Sequence, residues 1–129
     1  MKDNEDRRTR RNIMIRRKDE CSVEYNEHLR GGDGTVKLTQ FIASPDDLCG
    51  KGRSFARVVL NPGCSIGYHG HETDSELYYI LKGTAEYNDN GTLKTVTEGD
   101  VTICPPGEGH GIANKSEDVV ELIAVIVYA

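Results

Sequence analysis

The chain has no tryptophan, only two phenylalanines and four prolines, and no apolar run that approaches the ~20 residues a membrane-spanning helix requires. A membrane helix is therefore excluded as a reading of this sequence. No segment longer than about ten residues repeats its apolar side chains with helical period, so helices are expected to be minor. The cysteines, Cys21, Cys49, Cys64 and Cys104, form no Cys-x-x-Cys pair. That excludes a zinc ribbon and a dithiol redox motif and leaves free thiols as the expectation. The opening "MKDNEDRRTRRN" lacks the apolar stretch of a secretory leader, and the cytoplasm is the expected compartment.

What is present is charge, unevenly placed. Eight of the sixteen Lys and Arg residues fall within positions 1–18, whereas from Asp19 onward eight basic residues face eighteen acidic ones. Residues 1–18 read as a basic N-terminal arm, a solvated extension in the main, and residues 19–129 as one domain. A length of 129 residues suits one domain with its own core. An acidic body repels nucleic acid, so nucleic acid is not an expected partner beyond what the arm itself could touch.

Past the arm, short strand-like segments alternate with turn signals. "TVKLTQFI" (35–42) puts Val36, Leu38, Gln40 and Ile42 on one face, between "GGDG" and "SPDDL". Ser44 followed by Pro45 predicts a capped single helical turn. There follow "SFARVVL", "SIGYHGH", "ELYYILKG", "TAEY", "TLKTV", "DVTI", "HGIAN" and the closing apolar run "VVELIAVIVY" (119–128). Asn90-Gly91 in "NDNG" (88–91), between "TAEY" and "TLKTV", predicts a two-residue hairpin turn, because both residues tolerate positive φ. The pattern is that of an all-β sandwich or barrel.

Histidine is scarce, with four in the chain, yet two stand one residue apart in "GYHGHETDSELYYI" (67–80). On a strand, His69 and His71 project from one face. If "ETDS" reverses the chain, the segment opening at Glu76 runs antiparallel beside them, and Glu76 comes within cross-strand reach of His71. Two imidazoles and a carboxylate suit a divalent cation, and His110 in "PPGEGH" is a candidate third nitrogen. If Glu76 faces inward, so do Tyr78 and Ile80; if His110 does, so do Ile112 and Asn114. Asn114 is expected to hold backbone by hydrogen bonds. Arg57 could clamp a carboxylate in the same interior, or lie on the outer face. His28 reads as surface, Tyr68 is out of phase with His69, and "GEG" (107–109) is a turn.

These residues resemble the cupin family. "GCSIGYHGHETDSELYYILKG" fits the first cupin signature, G(x)5HxH(x)4E(x)6G, at Gly63, His69, His71, Glu76 and Gly83; "GDVTICPPGEGHGIAN" fits the second, G(x)5PxG(x)2H(x)3N, at Gly99, Pro105, Gly107, His110 and Asn114. The resemblance spans residues 35–128 and implies a double-stranded β-helix, the cupin jelly-roll barrel, preceded by a short N-terminal extension. It further implies a divalent transition metal (Mn, Fe, Ni, Co or Zn) held by His69, His71, Glu76 and His110, and a homodimer to which "RNIMIRRK" could lend a strand. Three imidazoles and one carboxylate leave coordination positions open for a small-molecule ligand in the barrel. The expected activity is a metal-dependent enzyme using the cation as Lewis acid on a small oxygen-rich metabolite, such as a hydroxy acid, keto acid or sugar derivative. Isomerase, decarboxylase, lyase and dioxygenase chemistry all fit, with Tyr78 and Arg57 as candidate catalytic residues. The alternative is a non-catalytic binding module.

Overall fold

The computed structural model describes residues 15–129. Within them the chain forms ten strands: β1 (Ser22–Glu27), β2 (Thr35–Gln40), β3 (Gly52–Leu60), β4 (Ser65–His71), β5 (Asp74–Lys82), β6 (Thr84–Asp89), β7 (Thr92–Thr97), β8 (Val101–Cys104), β9 (Glu108–Ala113) and β10 (Val120–Tyr128). All pairings are antiparallel, in a six-stranded sheet ordered β1-β2-β3-β10-β5-β8 and a four-stranded sheet ordered β4-β9-β6-β7. Among the described residues helical structure is limited to three short 3₁₀ turns, and none of these helices is long and apolar enough to cross a membrane. The all-β jelly roll expected from the sequence is what forms.

The two sheets close on a core that includes Val58, Leu60, Tyr78, Ile80, Ile112 and Leu122. Strict alternation produces it: Leu122, Ala124 and Ile126 of β10 face inward and meet Val58, Ala56 and Ser54 of β3 in register. Local chemistry sets the turns. Ser44 Oγ accepts from the Asp46 amide and caps the Pro45–Leu48 turn. Asn90 and Gly91 adopt φ of 50° and 101° and join β6 to β7. At Gly83, φ is 87° and a Cβ would stand 2.5 Å from the Val119 carbonyl oxygen, so both conformation and space require glycine.

Two expectations about strands change. β4 and β5 do not pair as a hairpin: β4 pairs with β9, while β5 lies between β10 and β8. The Glu72-Thr73 link carries the chain from one sheet to the other, so His71 and Glu76 meet across the interior rather than along a ladder. A local pattern of turn residues cannot distinguish a reversal within a sheet from a crossing between sheets. Strand β1 also went unread, because it is an edge strand whose Val23 and Tyr25 are exposed and carry no core-facing alternation. Arg16 Nη1 donates to the Phe41 carbonyl at 2.6 Å, and so ties the chain before β1 to the barrel. Most of the basic arm, and the first half of the "RNIMIRRK" segment, lies outside the described residues.

Candidate metal centre

His69 and His71 come from β4, Glu76 from β5 and His110 from β9. A bulge makes the β4 contribution possible. Ile66 pairs with Ile112 and His69 with His110, so β4 spends one residue more than β9 over the same distance. The phase shift lets both Ile66 and His69 point inward and turns Tyr68 out, where its side chain is exposed. Glu76, Tyr78 and Ile80 are buried in alternation along β5, and His110, Ile112 and Asn114 are all buried from β9 onward, in agreement with the phase read from the sequence.

One ligand-capable atom from each of His69, His71, Glu76 and His110 falls in a group whose members all lie within 4.8 Å of one another. The Nε2 atoms stand 3.5, 3.2 and 2.9 Å from Glu76 Oε1 for His69, His71 and His110 respectively. Behind each ring, Nδ1 has its own partner: the Gly67 carbonyl at 2.8 Å for His69, Asp74 Oδ1 at 2.6 Å for His71, and Tyr87 Oη at 2.8 Å for His110. A carbonyl and a carboxylate only accept, so Nδ1 of His69 and His71 is the protonated nitrogen that donates to them. In the neutral rings Nε2 then carries a lone pair aimed at the centre. Lone pairs converging on a carboxylate oxygen repel unless a proton or a cation stands between them. The donor set therefore fits a divalent metal, and with three nitrogens and one oxygen it is not the closed cysteine cage of structural zinc.

The electrostatics follow from burial and from this convergence. Burial pushes the Glu76 carboxyl up, but hydrogen bonds from His110 and His69 and the positive charge that His110 and His71 can carry outweigh it, and its pKa falls to about 2. Burial, opposed by Glu76, holds His110 below its ordinary value. The Tyr78 hydroxyl donates to Glu76 Oε1 at 3.3 Å and its ring stacks on His110; burial, reinforced by Glu76, raises it well above an ordinary phenol. Asp74 is pushed up by burial, but the hydrogen bonds from His71 and Arg53 prevail and leave it lowered.

A cavity of about 170 Å³ opens onto His69, His71, Glu76 and Tyr78. Its walls are apolar, with Ala56, Val58 and Ile126 among them, and Arg30 and Arg53 also line it. Pockets for drug-sized ligands measure roughly 300–1,000 Å³, so this space suits a molecule of few atoms. Arg57 is not part of it. Arg57 projects from the outer face of β3 and pairs with Glu121 at 2.7 Å, because the inward positions on either side belong to Ala56 and Val58. Asn114 does hold backbone: its side-chain amide donates to the Leu60 and Asp118 carbonyls.

Three functional neighbours escaped the sequence reading. Asp74 lay inside "ETDS" and read as a turn residue. Tyr87 is separated from His110 by 23 positions and carried no local signal. Arg53 owes its place to a second bulge, since Ser54 pairs with Ile126 and Gly52 with Val127, which leaves Arg53 as the extra residue. Only the pairing of β3 with β10 discloses it.

A family model described as the cupin domain matches residues 56–126. An oxalate-binding protein of Thermotoga maritima is 39% identical over 114 residues, 88% of this chain and 93% of that protein. A crystal structure from the same organism, described as a predicted oxalate decarboxylase, has a TM-score of 0.85 at 38% identity and covers 90% of this chain and 100% of that one. An oxalate decarboxylase of Arthroderma benhamiae is 36% identical over 107 residues, 73% of this chain but 24% of that longer protein.

Proposed function

The chain belongs to the cupin family, and from that premise we propose that it binds oxalate, or a dicarboxylate equally short, at a divalent transition metal held by His69, His71, Glu76 and His110. The observation that carries this reading is the convergence of three imidazole Nε2 atoms on one carboxylate oxygen at the floor of a small cavity. The similarity to an oxalate-binding protein over nearly the whole of both chains supports the choice of ligand. When bound, the metal would supply open positions for oxygen ligands.

The chain's own residues do the rest. Asp74, Gly67 and Tyr87 fix the three ring orientations, and Ala56, Val58 and Ile126 exclude water from the walls. Arg30 and Arg53 give the cavity positive charge to match a dianion. Binding without turnover is favoured over decarboxylation for a chemical reason. Conversion of oxalate to formate and carbon dioxide breaks the carbon–carbon bond and must deliver a proton to the carbon left behind. Among the described titratable residues lining the cavity, His69, His71 and Glu76 are committed to the metal group, Tyr78 holds its proton tightly, and Arg30 and Arg53 stay charged. None is a ready acid near neutrality.

The test is calorimetric titration of oxalate into Mn(II)-loaded protein and into protein stripped with chelator, with formate measured in parallel. Binding that needs the metal and yields no formate is expected. Equal binding to the stripped protein would overturn the metal-centred site, and steady formate release would replace binding with catalysis.

A further inference from the structure

Arg53 is the bulged residue of β3, and a bulge re-aims its side chain from the face that alternation would dictate. Its Nε donates to Asp74 Oδ2 at 2.9 Å, and the other oxygen of the same carboxylate accepts from His71 Nδ1 at 2.6 Å. One buried carboxylate therefore clamps an imidazole of the metal group on one side and a guanidinium of the cavity wall on the other. The terminal nitrogens of Arg53 make no hydrogen bond among the described residues, and the side chain is 41% exposed. A guanidinium held by Nε keeps two parallel N–H groups for a second anion.

We propose that Arg53 is the specificity-determining residue of the cavity, reading the outer edge of a short dicarboxylate, and that Asp74 is the positioning residue that links it to His71. The inference rests on the oxalate reading above and adds how the site would distinguish its ligand. Oxalate carries two carboxylates joined directly, so a molecule that turns one edge of two oxygens toward the histidines turns an opposite edge of two oxygens toward the mouth. The planar fork of Arg53 matches that edge. Glycolate, with one carboxylate and one hydroxyl, offers a single oxygen there. Arg30 lines the same cavity, but no carboxylate anchors its side chain among the described residues. Its loss should therefore matter less.

The experiment titrates oxalate and glycolate into Mn(II)-loaded wild type, R53Q, R53K and R30Q, with the metal content of each protein measured first. Loss of a charge-assisted pair weakens binding roughly 10–100-fold. R53Q should lose that much affinity for oxalate while its affinity for glycolate changes by less than about threefold and its metal content stays at the wild-type level. R53K restores the charge without the fork and should fall between. In D74N the carboxylate that orients His71 is gone, and Mn(II) affinity itself should drop roughly 10–100-fold. Unchanged oxalate affinity in R53Q, equal losses for both ligands, or a larger effect at Arg30 would each overturn the role of Arg53. Undiminished Mn(II) affinity in D74N would overturn the role of Asp74. Failure of the wild type to bind oxalate would instead remove the functional reading, and this inference with it.

Discussion

Asn114→Ala separates scaffold from site. The Asn114 side chain is fully buried and donates to the Leu60 carbonyl at 2.8 Å and the Asp118 carbonyl at 2.7 Å, while its own oxygen accepts from the Ser116 amide at 2.9 Å. These bonds pin the end of β9 to the end of β3 and to the loop that enters β10. The residue's backbone adds to the fastening, since its amide donates to the Cys64 carbonyl and its carbonyl accepts from Gly63. Removing the side chain strands a carbonyl beside fully buried Leu60, at ~1–3 kcal/mol, and forfeits three better hydrated bonds, to the Asp118 carbonyl and from the Ser116 amide and hydroxyl, at ~0.5–1.5 kcal/mol each. The sum is about 2.5–7.5 kcal/mol. For a domain of this size each kcal/mol moves Tm by roughly 3–5 °C, so a fall of roughly 10 °C or more is expected in chelator-treated protein. Asn114→Asp should be no milder, because it replaces the donor with an acceptor facing carbonyl oxygens. Below its own Tm, Asn114→Ala should still take up one Mn(II) per chain. A Tm shift below about 3 °C would refute the fastening role, and loss of metal from the folded variant would put Asn114 in the site.

The remaining predictions concern the centre. Tyr87→Phe removes the partner of His110 Nδ1 and should lower Mn(II) affinity roughly 10–100-fold in competition with a chromogenic chelator; an unchanged constant would show that Tyr87 does not orient the ring. Glu76 has a folded pKa of about 2 against an ordinary 4.5. The sign is that of a depressed carboxylate: its stabilisation is complete above pH 4.5 and disappears as pH falls toward 2. In metal-free protein this contribution is on the order of 3 kcal/mol, and urea denaturation should show Glu76→Gln flattening the acid limb of stability. An acid limb identical to wild type would contradict the ionised, hydrogen-bonded Glu76.

The sequence by itself determined the periodic features. Alternation in β3 and β10, the Asn90-Gly91 turn, the Ser44 cap and the inward phases of Glu76-Tyr78-Ile80 and His110-Ile112-Asn114 are all local, since each depends on residues a few positions apart. The two signatures, fixed in spacing, likewise made the group of His69, His71, Glu76 and His110 legible before any fold. What only the tertiary structure decided are the relations between distant strands. Whether the chain turns back or crosses over after His71 depends on which partners β4 and β5 find, namely β9 for one and β10 and β8 for the other. Arg57 and Arg53 show the same limit within one strand. Alternation alone leaves the direction of Arg57 ambiguous until the core claims Ala56 and Val58, and it gives Arg53 the wrong face until the register with β10 exposes the bulge. A bulge has no residue signature of its own; it is a mismatch in length between two paired strands, and it exists only once both are in place.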